Sequence, residues 1–150
     1  LYGVDYKKSK ELTFKQLYGG VFENYKELEF FQGIEKYVGK TWSKFESDGF
    51  VECEISGYRY KKENLQNMNP QKLFNYLLQN LETSMNVRIL WDMCGILRKC
   101  KTKLVLYTYD SFLFDLDNSE EGVLEEIREV FKKYKLNIKE IEGYDYNFTE

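Results

Sequence analysis

Apolar residues in the middle of the chain recur at every fourth position, which predicts one long helix with an apolar face. The run follows Asn69 and Pro70, and an Asn N-cap with proline at the first helical position is typical of a helix start. Seven residues form the face: Leu73, Leu77, Leu81, Met85, Ile89, Met93 and Leu97. We therefore expect a helix of about 28 residues that begins at Pro70.

Two helical segments are predicted before this long helix. Residues 7–17 contain neither glycine nor proline and lead to the pair Gly19-Gly20, a combination that favours a helix with a glycine stop. A second helical segment is expected from residue 22 to 47, with a break near Gly33 or Gly39, because glycine weakens a helix interior. The first third of the chain is therefore expected to be mainly helical.

A hairpin is predicted between these helices and the long one. Residues 50–55 alternate apolar and polar side chains, Ser56-Gly57 favours a turn, and residues 58–61 can return as the partner strand. The polar residues 62–69 are expected to form a loop.

The last third of the chain predicts a second hairpin, a helix and a strand. Residues 104–109 and 112–116 form two short strands around a turn, and "LNIKEI" (136–141) reads as a final strand. Ser119 is expected to cap an amphipathic helix between them. Its apolar face contains Val123, Ile127, Val130 and Phe131. Together the predicted elements belong to the α+β class.

Composition narrows the chemistry that the chain can perform. It has 150 residues, a net charge of −3, three cysteines and no histidine. The lack of histidine excludes Ser-His and Cys-His triads and every metal site that needs an imidazole. Any metal must then be held by carboxylates, which suits magnesium or calcium. No apolar run is long enough to span a membrane, so no membrane partner is expected.

A stripe of aromatic and basic residues lies along the first predicted helix. Tyr6, Lys10, Phe14 and Tyr18 are four residues apart and therefore align on one face, about 6 Å per step. Lysine contacts phosphate as a compact charge, while aromatic faces accept a sugar or base by stacking. The stripe favours a ligand with phosphates at one end and a flat base at the other. The alternative is an aromatic stripe packed in the core.

A second stripe, of amides, lies at the start of the long helix. Gln71, Asn75 and Gln79 are again four residues apart, beside the leucine face. Amides can hydrogen-bond acceptors on the minor-groove edges of base pairs without demanding a sequence. The alternative is the exposed polar face of an ordinary helix.

Asp110 stands in the middle of the apolar segment "LYTYDSFLFDL" (106–116). Burying an unpaired carboxylate is costly, and a bound hard cation offsets that cost. Asp110 is therefore a candidate metal ligand at a hairpin tip. Asp115 and Asp117 are expected to face solvent.

Taken in order, these segments resemble the C-terminal part of a family A DNA polymerase of the phage type. "KELTFKQLYGG" (10–20) is similar to motif B on the fingers helix that closes on the incoming nucleotide. "GFVECEISGYRY" (49–60) is similar to the fingers hairpin, and "QKLFNYLLQ" (71–79) to the helix that contacts the primer–template minor groove. "LYTYDSFLFDL" is similar to motif C. The resemblance covers nearly the whole chain.

The resemblance implies transfer of a nucleotide from a dNTP to a primer 3′ end, with Lys10 and Asp110 as catalytic residues. Lys10 would hold triphosphate charge, Phe14 would pack on the sugar and base, and Tyr18 would guard the templating position beside Gly19. Asp110 would bind Mg²⁺ in a two-metal site. DNA contacts are implied for Arg59, Gln71, Asn75, Gln79 and Tyr109.

Four positions depart from the family's pattern. Tyr6 and Gln71 stand where the family has arginine, Tyr109 replaces a histidine and Ser111 replaces a glutamate. These changes affect secondary contacts and leave the lysine, aromatic and aspartate positions in place.

Motif A, which carries the family's other metal-binding aspartate, is not found in the sequence. The resemblance therefore implies an N-terminal polymerase portion that carries motif A, and an isolated chain that is inactive. It also implies a fingers part at residues 1–68, a palm part at residues 69–150, primer–template DNA and dNTPs as partners, and a cytoplasmic location, that of the host for a phage protein. Three alternatives stay open: a split-polymerase subunit, a non-catalytic DNA-binding or assembly module with this fold, and a structural α+β protein in which the motifs are coincidental.

Overall fold

The structure, a computed structural model, describes residues 3–109, 111–120 and 122–143. These residues form α-helices and two separate antiparallel hairpins, the α+β arrangement that the sequence predicts. The elements are α1 (Tyr6–Gly19), a 3-10 helix (Glu23–Tyr25), α2 (Glu29–Asp48), β1 (Phe50–Glu52), β2 (Arg59–Lys61), a second 3-10 helix (Lys62–Asn64), α3 (Pro70–Leu97), β3 (Lys103–Thr108), β4 (Ser111–Asp115) and α4 (Val123–Lys133). Within the described ranges, no helix is long and apolar enough to cross a membrane.

The chain divides into two compact units. The N-terminal unit contains Leu1–Ser84 and the C-terminal unit contains Met85–Glu150. This boundary falls inside α3, whereas the sequence places the change from fingers to palm between residues 68 and 69. The first boundary separates compact units of the folded chain, whereas the second comes from the resemblance to polymerase subdomains. The assignment of fingers and palm stays a prediction.

Helix α1 confirms the first predicted helix and is anchored near its C-terminal end. Asp5 caps its start, accepting a hydrogen bond from the Lys8 backbone N–H at 2.9 Å. Gly20 ends it with a φ of +100°, a conformation that favours glycine. Gln16 is the buried residue of this helix. The face that carries the aromatic stripe is thus left outside the core.

Helix α2 is unbroken, so the predicted break near Gly33 or Gly39 is wrong. Each glycine costs a helix interior about 1 kcal/mol relative to alanine. Burial of Phe31 and Phe45 on the same helix offsets that cost, at about 1.5–3 kcal/mol for each fully buried side chain. The interruption lies earlier instead, at residues 26–28.

The first hairpin confirms the strands predicted around Ser56-Gly57, in shorter form. Val51 pairs with Tyr60, and Gly57 turns with a φ of +69° while its N–H donates to the Cys53 carbonyl at 2.8 Å. The hairpin packs on α2 and α3 within the N-terminal unit. Its core consists of Phe45, Val51, Cys53, Leu73 and Leu77.

Helix α3 begins as predicted, because the Asn69 side chain accepts a hydrogen bond from the Lys72 N–H at 2.9 Å. Of the predicted apolar face, Leu81 is exposed and Met85 is half-buried, while the other five residues are buried. A spacing of four exceeds the helical repeat of 3.6, so each step rotates the face by about 40°. The middle of the face therefore leaves the core.

The C-terminal unit is built around the second half of α3. Its core joins α3 to the face predicted on α4, and the hairpin β3–β4 packs against it. The buried residues are Ile89, Met93, Leu97, Val123, Ile127 and Val130. Leu104 pairs with Phe114 and Thr108 with Ser111, which confirms the predicted hairpin.

Two predictions for this unit are wrong. Ser119 does not cap α4, which begins at Val123; its hydroxyl and N–H both donate to the Asp117 carboxylate. Residues 136–141 form no strand, since a strand is held by backbone bonds to a neighbour. Side chains hold this segment instead, through Arg128 Nη2 and Glu140 Oε2 at 2.8 Å.

Candidate nucleic-acid interface

The aromatic stripe of α1 lies on the surface of the N-terminal unit. Phe14 is 45% exposed and Tyr18 is 38% exposed, so the stripe is not core packing. Their rings stack with centroids 6.0 Å apart and planes 13° apart. Lys10 Nζ lies 5.9 Å from the Phe14 centroid, within the range of a cation–π contact. The predicted cation and flat aromatic faces are thus adjacent and accessible.

The C-terminal end of α1 is fixed by hydrogen bonds from several directions. The Gly20 N–H donates to the Gln16 carbonyl at 3.0 Å, and the buried Gln16 side chain accepts from the Phe22 N–H at 3.2 Å. These bonds hold the turn that follows the helix. Gly19, the fourth predicted substrate-binding residue, is in the last turn and open to solvent.

Two amides of the α3 stripe also bind this end of α1. Gln71 Nε2 donates to the Leu17 carbonyl, and Asn75 Nδ2 donates to the Tyr18 carbonyl at 3.3 Å. The last carbonyls of a helix have no partner inside the helix, so these side chains satisfy them. The stripe is therefore partly structural, and a DNA contact by these two residues stays a prediction.

The other polar groups of the amide stripe differ in their exposure to solvent. Asn75 Oδ1 is buried and finds no hydrogen-bond partner in the part of the chain that the structure describes. Gln79, the third amide, is exposed and faces an open cleft of about 370 Å³. Gln79 is the member of the stripe that can reach a ligand without breaking a contact to α1.

Arg59 is exposed on β2 and is already paired. Its Nε donates to Glu52 Oε2 at 2.6 Å, and its guanidinium lies 5.0 Å from the Phe50 ring centroid. A DNA contact by Arg59 would require it to share or leave this pair, and it stays a prediction.

A tyrosine cluster near Gln79 was not predicted as a site. Tyr58 and Tyr60 project from the first hairpin and meet edge to face at 4.9 Å, and Tyr76 of α3 lies 6.1 Å from Tyr60. The alternation of Tyr58 and Tyr60 along one strand was the available signal, because residues two apart share a face. Their meeting with Tyr76 depends on tertiary packing, which spacing does not reveal.

The hairpin of the C-terminal unit presents Tyr109 at its exposed end. Tyr109 has a φ of +49° and is 88% exposed, and its carbonyl accepts a hydrogen bond from Asn86 Nδ2 at 3.0 Å. Ser111 and Thr108 hydroxyls lie 2.8 Å apart. Asp110, the predicted metal ligand, lies outside the described residues.

Two further carboxylates of this unit, Asp115 and Asp117, lie at the end of β4 and just after it. Asp115 is exposed as expected, whereas Asp117 is half-buried, and its carboxylate accepts hydrogen bonds from the Ser119 N–H and hydroxyl. The hydrogen bonds from Ser119 lower the pKa of Asp117. Across the described ranges, no three Asp, Glu, Cys or His side chains gather into a group that could hold a metal ion.

Glu120 joins the loop before α4 to the segment before β3. Its two carboxylate oxygens accept the backbone N–H groups of Thr102 and Lys101, each at 2.8 Å. These two bonds lower the pKa of Glu120, because they favour the ionised form. This carboxylate is therefore a structural connection, and sequence spacing gave no sign of it.

Comparison with known proteins identifies the architecture. No family model and no curated protein matches the sequence. Among solved structures, the chain is similar to the POL domain of Pol1 from M. smegmatis, solved in complex with DNA primer-template and dNTP, with a TM-score of 0.67. The chain has a polymerase-like fold.

The polymerase-like fold spans most of this chain and a smaller part of its neighbour. The match covers 85% of this chain and 27% of the M. smegmatis chain, at 15% sequence identity. At that identity the likeness shows the fold, and the functional residues must be argued from their own geometry.

Proposed function

We propose that this chain is part of a DNA-directed DNA polymerase that adds dNTPs to a primer 3′ end. The exposed Lys10–Phe14–Tyr18 stripe carries the proposal, because it presents phosphate-binding and base-stacking groups together in a polymerase-like fold. In the reaction, the primer 3′ oxygen bonds to the α-phosphorus of the dNTP and pyrophosphate leaves.

The stripe would bind the incoming dNTP along α1. Lys10 has no carboxylate partner among the described residues, so its ammonium group is available to triphosphate oxygens. Phe14 lies one turn further and would pack on the sugar and base. Tyr18, stacked on Phe14, would close the far end of the site beside Gly19. The order of the side chains follows the order of groups in a nucleotide.

The primer–template would be contacted by the amides of α3 and by one residue from each hairpin. Gln79 is exposed and open to a base-pair edge. Gln71 and Asn75 stay proposed DNA contacts, and each would have to leave its bond to α1 to make one. Arg59 and Tyr109 are the other proposed DNA contacts.

Asp110 is the one residue of this chain that we propose as a magnesium ligand. The described residues do not by themselves make a two-metal site, so a second carboxylate would come from an N-terminal portion that carries motif A. When bound, the metal ions would activate the primer hydroxyl and neutralise phosphate charge. This chain's own contribution is to bind and orient the nucleotide and the DNA.

Several finer assignments belong to the same proposal. They are the membership of family A, the phage type, the cytoplasmic location, and the division into a fingers part at residues 1–68 and a palm part at residues 69–150. They rest on the sequence motifs described above and go beyond the polymerase-like fold, which is what the solved neighbour supports.

Primer extension at limiting dNTP tests the proposal, with the chain joined to the portion that carries motif A. Lys10→Ala removes a charge-assisted contact of about 1.5–3 kcal/mol, which should raise the dNTP requirement at least about tenfold. Lys15→Ala is the matched control, because Lys15 is on the same helix and pairs with Glu11 at 2.7 Å.

The outcome separates the proposal from its rivals. A loss confined to Lys10→Ala supports the dNTP site. Equal activity of the two variants would show that Lys10 is an ordinary exposed lysine without a role in dNTP binding. Binding of DNA without any extension would favour the non-catalytic module.

A further inference from the structure

The cleft beside Gln79 is lined by side chains that carry no charge. We name it the tyrosine cleft; its lining residues are Tyr60, Tyr76, Gln79, Asn80 and Thr83. The cleft is open to solvent and has a volume of about 370 Å³. A neutral lining of this kind suits a flat, polar group better than it suits an anion or a metal ion.

The aromatic part of the cleft is held in place and yet accessible. The Tyr60 hydroxyl donates to the Tyr76 carbonyl at 3.1 Å, which ties β2 to α3. The two rings lie 6.1 Å apart with planes 30° apart. Tyr76 is 42% exposed, and the neighbouring Tyr58 is 56% exposed. The Tyr76 side chain is therefore accessible to a ligand on a supported surface, and Tyr58 is accessible beside the cleft.

The polar part of the cleft is also ordered by the fold. Ser56 Oγ donates to Asn80 Oδ1 at 2.7 Å, which fixes the orientation of that amide. Burial raises the pKa of Tyr60. Gln79 and Thr83 are exposed and supply donors and acceptors that can turn toward different partners.

A cation lies at one end of the same helix face. Lys72 is one turn before Tyr76, about 6 Å along the helix, and its side chain is exposed. Lys72 Nζ donates to the Asn67 carbonyl at 3.1 Å, which holds it near the start of α3 while leaving its charge uncompensated by a carboxylate among the described residues. The order along α3 is thus cation, ring and amides.

We propose that the tyrosine cleft binds an unpaired base of single-stranded DNA, with Lys72 on the adjacent phosphate. Every base has a face that stacks on an aromatic ring, and the flexible amide and hydroxyl groups tolerate different base edges. The choice of DNA as the ligand rests on the proposed polymerase function. The cleft is separate from the stripe of α1, since the two share no residue, but Gln79 belongs both to the cleft and to the proposed primer–template contacts.

Binding of a short oligothymidylate that contains one 2-aminopurine tests this site in the 150-residue chain. Tyr76→Leu should weaken binding about fivefold or more and abolish the quenching of 2-aminopurine by stacking. Tyr76→Phe keeps the ring and should preserve both. Phe30→Leu is the control for loss of an exposed aromatic elsewhere in the unit, since Phe30 is 51% exposed on α2.

Lys72→Gln gives an independent readout. Removing one phosphate contact should make the slope of log K against log salt shallower by about 0.7 for a single strand, with stacking retained. Unchanged affinity and quenching in Tyr76→Leu would overturn the proposal, and a thermal unfolding curve confirms that the variant is folded.

The two proposals fail in different ways. Loss of oligonucleotide binding in Tyr76→Leu, together with no effect of Lys10→Ala on extension, would keep the cleft and refute the dNTP site. A clear Lys10 effect with unaltered binding in Tyr76→Leu would refute the cleft alone.

Discussion

Phe14 is the residue whose substitution tests the proposed dNTP site most directly. Its ring is exposed, stacked on Tyr18 and one turn from Lys10. In polymerases that this sequence resembles, phenylalanine here goes with rejection of dideoxynucleotides and tyrosine with their acceptance. A tyrosine hydroxyl can replace the missing 3′-hydroxyl, whereas phenylalanine leaves the polar groups around it unpaired.

Phe14→Tyr should therefore relax discrimination against a dideoxynucleotide while leaving incorporation of the ordinary dNTP nearly unchanged. The measurement is a competition between the two nucleotides on one primed template, with the chain joined to the portion that carries motif A. Phe22→Tyr is the control, because Phe22 is 40% exposed and lies outside the stripe. An identical ratio for Phe14→Tyr and the parent would show that Phe14 does not face the sugar.

Spacing along one helix identified these residues, but not the partners of the amides. Lys10, Phe14 and Tyr18 share a face because they are four residues apart. The bonds of Gln71 and Asn75 to α1 join residues 54 and 57 positions apart, and only the folded unit brings them together. A regular polar stripe looked like a ligand-binding face although part of it serves the fold.

At the scale of elements, the contact between α1 and α3 depends on Gln71. Gln71→Ala leaves the Leu17 carbonyl without this donor in a half-buried place, and we expect a loss of about 1–2 kcal/mol in the free energy of unfolding. Gln79→Ala is the matched control on the same helix, since Gln79 is exposed, and its effect should stay within about 0.5 kcal/mol. Urea denaturation measures both, and equal effects would contradict a capping role for Gln71.

Glu120 should give the C-terminal unit a stability that depends on pH. Its pKa in the folded chain is lowered from 4.5 by the N–H groups of Thr102 and Lys101. A lowered pKa stabilises the fold above the unfolded value, and this contribution disappears as the pH falls through the folded value. Glu120→Gln should therefore be less stable than the parent at neutral pH and lose less stability on acidification.

The measurement is the free energy of unfolding from pH 7 downward, followed by a probe in the C-terminal unit. Asp115→Asn, at an exposed position of the same unit, is the control for loss of one carboxylate. Parallel pH curves for Glu120→Gln and the parent would show that Glu120 is not a stabilising acceptor.

Local sequence signals predicted most elements, and the errors have physical causes. Asn69 and Pro70 located the start of α3, because capping is decided by adjacent residues. Ser119 failed as a cap because α4 begins only at Val123, so the Ser119 oxygen is not beside the first N–H groups of the helix. The strand at 136–141 failed because alternation shows which residues share a face, whereas a strand also needs a neighbouring backbone.

For the whole molecule, the proposal makes a clear statement about activity. The 150-residue chain should not extend a primed template in magnesium, because one predicted aspartate cannot arrange two metal ions. Addition of a portion that carries motif A should restore extension, and Asp110→Ala should abolish it. Robust extension by the chain alone, lost in Asp110→Ala, would refute the need for motif A.

The anchoring of α1 at one end determines how this helix can move. Its last turn is tied by Gln71, Asn75 and the buried Gln16, while no residue of its first two turns is buried. A tilt of α1 about its tied end would displace each residue in proportion to its distance from Tyr18. Lys10 is eight residues away, about 12 Å along the axis, so a tilt of about 10° carries it roughly 2 Å. In the proposed dNTP site, such a tilt would leave Tyr18 in place while Lys10 moves far enough to make or release a contact with phosphate.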